Sequence, residues 1–328
     1  MVISVSHLKK YYQIHKKEPG LMGSIRSLIA RKYEVNRAVD DISFTIDEGE
    51  LVGFIGPNGA GKTTTLKCLS GLLYPTSGRV SVLGFTPFER KTNFLKRISL
   101  VMGQKNQLWW DLPAVETFLL NKEIYEISDE QYKKTLGELV DLLEVEGLLK
   151  VQVRKLSLGE RMKMELIAAL IHSPHVLFLD EPTIGLDVVM QKKMRDFIQE
   201  YNELHRSTIL LTSHYMEDVR QLARRVIIID HGQILYDGKL ENLVRKFAKY
   251  KLLRVILETY VPPDKLKEVG ELTEYDFPRA VIRVERGASN VAAAQILQKF
   301  PVDDLNIEEP DIEDIIRDVF TKKNHPMV

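Results

Sequence analysis

The sequence predicts an α/β fold followed by a small α+β domain, and three observations carry that prediction. A continuous apolar run, Leu51-Val52-Gly53-Phe54-Ile55, ends in a glycine-rich loop and leads into a helical stretch from Thr63 to Ser70. Three further apolar runs, His175 to Leu179, Thr208 to Leu211 and Val226 to Ile229, alternate with helical patterns, as strands of a parallel sheet buried on both faces do. At Tyr250 the pattern changes to shorter alternating segments. Length agrees, because 328 residues exceed one minimal domain and suit a large α/β domain with an appendage.

Taken in order, Val2 to Val5 alternates like a strand and Ile42 to Ile46 alternates again before the turn Asp47-Glu48-Gly49-Glu50, which predicts an antiparallel β subdomain leading into the core sheet. Between about residues 112 and 172 the pattern is helical, with Leu136, Leu139, Val140 and Leu143 at spacings of three and four. The first domain is expected to span residues 1–245 and to contain this helical subdomain. The second, 246–328, is expected to hold strands at Leu252 to Leu257 and Ala280 to Val284. Helices are expected at Val291 to Phe300 and Asp311 to Phe320, with Pro262-Pro263 in a loop. No internal repeat is visible.

Lysine plus arginine and aspartate plus glutamate each number 46, so the net charge is zero and the basic footprint of a nucleic-acid binder is missing. Nucleic acid is not an expected partner. A single cysteine, Cys68, excludes an internal disulfide framework, suits a reducing compartment and reads as a core residue. No stretch reaches the roughly 18 apolar residues that a membrane span needs, and the N-terminus is unlike a signal peptide. The chain is expected to be cytoplasmic.

The loop after the first apolar run reads Gly56-Pro57-Asn58-Gly59-Ala60-Gly61-Lys62-Thr63-Thr64. Its glycines let backbone amides converge on phosphate oxygens, and the helix that follows adds positive potential. Lys62 reaches the outer phosphates, and Thr63 offers its hydroxyl to Mg²⁺. The run Val176 to Leu179 then delivers Asp180 and Glu181 at a strand's carboxyl end, where open α/β sheets bind ligands. Asp180 suits the metal, directly or through water. Glu181 suits a general base for the attacking water, because phosphoryl transfer needs positioning and charge neutralisation above all.

With these motifs in order, residues 1 to 245 resemble the ATP-binding cassette (ABC) ATPases, P-loop proteins with a mixed core sheet. Leu156-Ser157-Leu158-Gly159-Glu160 looks like the family signature, Gln104 like its Q-loop glutamine, Gly185-Leu186-Asp187 like the D-loop, and Thr212-Ser213-His214 like the switch histidine. Tyr12 stands where the family stacks an aromatic ring on adenine, with Tyr11 the runner-up. The resemblance implies ATP and Mg²⁺ as ligands, with Gln104 near the metal and His214 holding water and Glu181 in register. It also implies a second ATP-binding subunit, here a homodimer, whose Ser157 and Gly159 would reach the γ-phosphate held by the first. Transmembrane permease subunits would complete the assembly and hold the chain at the cytoplasmic face of a membrane.

Two departures and two other stretches add detail. The signature has Leu158 where glycine is usual and Glu160 where glutamine is usual; Leu158 is expected to turn away from the nucleotide while Gly159 keeps the close backbone approach. An insertion at about 13–36 places Leu21, Met22, Ile25, Leu28 and Ile29 on one helical face, which suits a membrane surface or packing on its own domain or on a permease. Trp109-Trp110 borders the groove that in this family receives a permease helix; adjacent tryptophans in a strand or loop usually point opposite ways, so the alternative reading puts one of them in the core. The insertion, the Trp stretch and the extra domain resemble ATPases paired with export permeases. An importer ATPase shares the same motifs, and a soluble ABC protein acting on ribosomes or DNA is the more distant alternative.

Overall fold

The computed structural model describes residues 1–15, 33–103, 105–213 and 215–316, which fall into two compact units, Met1–Gly238 and Lys239–Val328. The first opens with β1 (Ile3–His15) and β2 (Tyr33–Ile46), paired antiparallel to their far ends, where His15 lies opposite Tyr33. Alternation in the sequence marked only the base of this hairpin. Register shifts between Val5 and Leu8 and between Lys10 and Tyr11 break the period further along. The expected insertion is therefore strand at both ends, with Gln13 and Ile14 opposite Val35 and Glu34. Its proposed helical face, Leu21 to Ile29, lies outside the described residues.

Next come β3 (Leu51–Ile55), helix α1 (Lys62–Leu69) and β4 (Ser77–Val82), which pairs with the free side of β1 to complete a three-stranded antiparallel sheet. Ile3, Val5, Leu8, Val39, Ile42, Phe44 and Ile46 bury its inner face against Phe54 of β3 and Leu66 and Leu69 of α1. Cys68 belongs to this cluster, and burial pushes its thiol up to about 11, in keeping with a core residue.

After β5 (Ile98–Met102) the chain forms a helical layer of α2 (Ala114–Tyr125), α3 (Asp129–Leu143) and α4 (Leu158–Leu170). Leu139, Val140 and Leu143 of α3 are buried, with Leu136 packed against them, on the face that the spacing predicts. Then follow β6 (Val176–Asp180), α5 (Val188–His205), β7 (Thr208–Thr212), α6 (Met216–Leu222), β8 (Arg225–Asp230) and β9 (Gln233–Lys239). The core sheet runs β5-β6-β7-β3-β8-β9 and is parallel from β5 through β8. Every residue of β6 and β7 is buried, which is why these strands read as unbroken apolar runs. His231 and Gly232, both at positive φ, make the two-residue turn into β9.

The second unit contains β10 (Tyr250–Leu257), β11 (Glu271–Asp276), β12 (Arg279–Glu285), α7 (Ser289–Lys299) and β13 (Val302–Glu308). Its antiparallel sheet has the order β11-β12-β10-β13, and with a single helical turn at Pro263–Lys267 the connectivity is βαββαβ of the ferredoxin-like type. Leu253, Val255 and Ile282 pack against Ala292, Ala293 and Ile296. The expected loop at Pro262-Pro263 is in fact a helix start, because proline at the first helical position sacrifices an amide that has no intrahelical partner anyway. Of the helix expected over Asp311 to Phe320, residues 312–316 are helical, and residues 317–320 lie outside the described residues. The predicted α/β class with an α+β appendage holds.

Candidate functional site

Because β7 lies between β3 and β6, the loops leaving the carboxyl ends of these strands share one edge of the sheet. A Cβ on Gly56 would stand 2.2 Å from the Ile229 carbonyl oxygen, and one on Gly61, at φ +107°, 2.3 Å from that of Ala38. Only glycine lets the loop lie this close to β8 and β2. Gly59, at φ +80°, has nothing within 4 Å of its Cβ position and leaves the backbone cradle open between exposed Pro57-Asn58 and buried Ala60. Helix α1 starts without a side-chain cap, so its first-turn amides, Thr63 and Thr64 among them, remain for an anion. Lys62 Nζ donates to the carbonyls of Gly56 (2.6 Å) and Pro57 (3.2 Å). Burial lowers its pKa against the opposing pull of Glu181 and Asp180.

Both oxygens of Asp180 are engaged. Thr63 Oγ1 donates to Oδ2 at 2.8 Å and Thr212 Oγ1 to Oδ1 at 2.7 Å. A hydroxyl and a carboxylate in contact beside a phosphate cradle make a hard oxygen donor set suited to Mg²⁺, which takes few protein ligands and completes its shell with phosphate and water. Glu181 turns out of the strand at φ +57°, its amide donating to the Thr212 carbonyl and hydroxyl, each at 3.1 Å. A Cβ on Gly103 would be 2.1 Å from the Glu181 carbonyl oxygen, so this turn is closed on one side by a glycine. Left-handed backbone at a non-glycine residue costs about 1–2 kcal/mol and is characteristic of functional turns. Gln104 and His214 lie outside the described residues; next to them, the Gly103 amide donates to the Asp180 carbonyl at 2.9 Å.

A buried hub that sequence reasoning missed ties these segments together. Asp218 on α6 is fully buried and accepts hydrogen bonds from Thr183 Oγ1 (2.5 Å), Ser213 Oγ (2.6 Å) and Arg195 Nη1 on α5 (2.8 Å). Thr183 is two residues past Glu181, and Ser213 directly precedes position 214. The Tyr215 amide donates back to Ser213 Oγ at 3.0 Å.

The candidate signature is a helix start. Ser157 caps α4 and forms a reciprocal box with Glu160: the Glu160 amide donates to Ser157 Oγ (3.3 Å) and the Ser157 amide to Glu160 Oε2 (2.8 Å). These bonds from the Ser157 backbone and side chain hold the Glu160 carboxyl below the usual range. Leu158 is 37% exposed, with Cδ2 at 3.1 Å from the Cβ position of Gly185. Gly159 is buried beneath Met190, whose Cγ would be 2.8 Å from a Cβ there. Asp187 caps α5 by accepting from the Met190 amide at 2.9 Å.

Tyr11 and Tyr12 are separated by their bonding. The Tyr11 hydroxyl donates to Asp40 under the Arg37 guanidinium, a tie that raises the phenol pKa and commits Tyr11 to its own hairpin. Tyr12 pairs with Asn36, two residues from the Ala38 that covers Gly61, and has Lys10 5.1 Å over its ring. Trp109 and Trp110 are 50% and 48% exposed, so neither is core; they sit in turns, where strand alternation does not apply, and the buried residue is Leu108.

Comparison with known proteins gives a consistent picture. Residues 39–184 match the family model "ABC transporter", and residues 249–308 match "EvrA-like ABC transporter, C-terminal domain". The chain is 36% identical to the ABC transporter ATP-binding protein NatA of Bacillus subtilis over 212 residues, 65% of this chain and 86% of that protein. It is 31% identical to the Nod factor export ATP-binding protein I of Burkholderia thailandensis over 245 residues, 73% of this chain and 77% of that protein. Among solved structures it resembles the dimeric post-hydrolysis state of the ATP-binding cassette MJ0796 bound to ADP and Pi. The TM-score is 0.60 at 24% identity, over 72% of this chain and 98% of that one.

Proposed function

The chain belongs to the ATP-binding proteins of the ABC transporter family, and on that premise we propose that it hydrolyses ATP in a site shared with a second copy, driving export through separate permease subunits. The observation that carries the reading is the convergence of Lys62, Thr63, Asp180 and Glu181 at one sheet edge. In it, the amides from Gly56 to Thr64 cradle the phosphates, with Pro57, Asn58 and Ala60 shaping the loop, and Lys62 neutralises their charge. Tyr12 stacks on the base. Mg²⁺ held by Thr63 and Asp180, with Gln104 beside it, would offset charge on the outer phosphates. Glu181 takes the proton of the attacking water, and His214 keeps that water and Glu181 in register.

The capping box leaves the Leu158 and Gly159 amides at the start of α4 uncapped, anion contacts with no phosphate cradle of their own, so Ser157, Gly159, Glu160 and Asp187 are assigned to the ATP held by the partner copy. The half-exposed Trp109-Trp110 pair, with Leu112 beside it, is assigned to a permease helix, which would hold the chain peripherally at the membrane. No helix among the described residues is long and apolar enough to cross it. Export is favoured by the Nod factor export relative. Residues 1–245 are assigned to nucleotide binding and 246–328 to an accessory or dimerisation role.

The test is Glu181→Gln. Removing the base should slow hydrolysis by about 10²–10⁴-fold while MgATP binding persists, and the variant should elute as a nucleotide-dependent dimer in gel filtration. Hydrolysis at the parent rate would overturn the assignment of Glu181.

A further inference from the structure

Glu165 sits in the third turn of α4, only 4% exposed, between buried Met164 and Leu166. Its carboxylate reaches into the loop that starts after position 104. Oε1 accepts the amides of Gln107 (2.8 Å) and Leu108 (3.3 Å), and Oε2 is buried without a protein partner among the described residues. Burial raises its pKa, against the two amides and Arg161, which lower it. A carboxyl is an expensive occupant for a packing position, since an apolar side chain of similar volume would avoid the desolvation cost. The two amides it receives are the return for that cost.

The same helix begins at Ser157, and its N-terminal flank holds the rest of the loop. The Val153 amide donates to the Leu112 carbonyl and the Arg154 amide to that of Trp110, both at 3.0 Å. Arg154 Nη1 pairs with Asp111 at 3.2 Å, and the Arg161 guanidinium lies 5.6 Å over the Trp110 ring. The near end of the loop has two anchors, the Gln107 side chain on the Leu100 carbonyl of β5 (2.9 Å) and Glu165. Among the described residues, Glu165 makes the only hydrogen bonds between that end and α4.

We propose that Glu165 is a positioning residue that makes the Trp109-Trp110 loop move as one body with α4, so that engagement of Ser157 by nucleotide is relayed to the Trp face. The inference rests on the shared-site reading above. Without this tie, the near end of the loop would follow β5 through Gln107, and only the far-end contacts would couple the Trp pair to Ser157.

Trp109 and Trp110 are the chain's two tryptophans, so intrinsic emission reports on this loop. In the full-length Glu181→Gln protein, MgATP should change the accessibility of these rings to acrylamide. Adding Glu165→Met, which keeps volume and deletes the acceptor, should remove at least half of that change while MgATP affinity and dimer elution stay the same. Glu165→Gln, which keeps one carbonyl oxygen, should restore it. A MgATP-dependent change that survives Glu165→Met would overturn the proposal. Hydrogen exchange on the unsubstituted chain tests it without mutation: the amides of Gln107 and Leu108 should gain protection together with the Ser157–Arg161 turn when MgATP binds, and independent responses would refute it. If Glu181→Gln forms no MgATP-dependent dimer, the shared-site reading fails and takes this one with it; a dimer whose emission ignores Glu165 sinks this inference alone.

Discussion

Asp218→Ala is the perturbation whose cost the structure specifies best. Asp218 is fully buried, and its partner Arg195 is 5% exposed, so the substitution strands a guanidinium away from water and leaves the Thr183 and Ser213 hydroxyls without their acceptor. Breaking a buried pair from one side costs about 3–5 kcal/mol. Gln221 Oε1 still accepts from Arg195 Nε at 2.8 Å, which offsets part of this, while the stranded hydroxyls add to it. A net loss of about 4 kcal/mol corresponds to roughly 8–16 °C in the melting temperature of a unit this size, readable by calorimetry. Removing both charges with Arg195→Met plus Asp218→Leu should recover most of that stability. It should not recover turnover, because Thr183 and Ser213 would remain unheld beside Glu181 and position 214; the loss should fall on kcat with KM for MgATP little changed. A melting shift within about 1 kcal/mol of the parent for Asp218→Ala, or full activity in the double variant, would refute the reasoning.

The phosphate loop offers a ranking. Gly56→Ala drives a Cβ to 2.2 Å from a backbone carbonyl and should abolish MgATP binding, whereas Gly59→Ala meets open space, costs only its φ of +80°, about 1–2 kcal/mol, and should still fold; the reverse order in thermal unfolding and nucleotide titration would contradict the geometry. His172 supplies a pH dependence. Its ring stacks 3.9 Å from Tyr125 with Nε2 at 3.0 Å from the Ile98 carbonyl, and burial brings its pKa down to about 4. Between that value and the ordinary 6.5 the unfolded chain binds a proton that the native state excludes, so stability rises with pH across this window and is lost on acidification. Urea unfolding should show about 2 kcal/mol less stability at pH 5 than at pH 7 from this group, a slope that His172→Gln removes; an unchanged slope would exclude His172 as its source.

Legibility followed the range of the interactions. The phosphate loop and the Asp180-Glu181 pair were readable because each is a contiguous motif whose neighbours in sequence are its neighbours in space. Ser157 and Glu160 form a box spanning three residues, and that spacing was in plain view although it was read only as a family signature. The Asp218 hub was invisible, since Thr183, Arg195 and Ser213 become neighbours only after β7 lies beside β6 and α5 packs back against α6. Glu165 left one faint sign, an acid between apolar residues on a helix whose neighbours all proved buried. For the tryptophans the sequence left two readings, a partner groove or one ring in the core, and the half-exposure of both rings removes the second.

The amino-acid sequence by itself determined the α/β class, the order of the motifs and the chemistry of each side chain, because apolar periodicity and backbone-directed motifs act over a few residues. Tertiary structure alone decided which of these groups share a site. It turned Tyr11 inward to Asp40, laid Leu158 beside Gly185, and closed both oxygens of Asp180 with Thr63 and Thr212. Thr63 and Thr212 lie 117 residues before and 32 after Asp180, and no local preference sets that distance; the packing of β3, β7 and β6 into one sheet does.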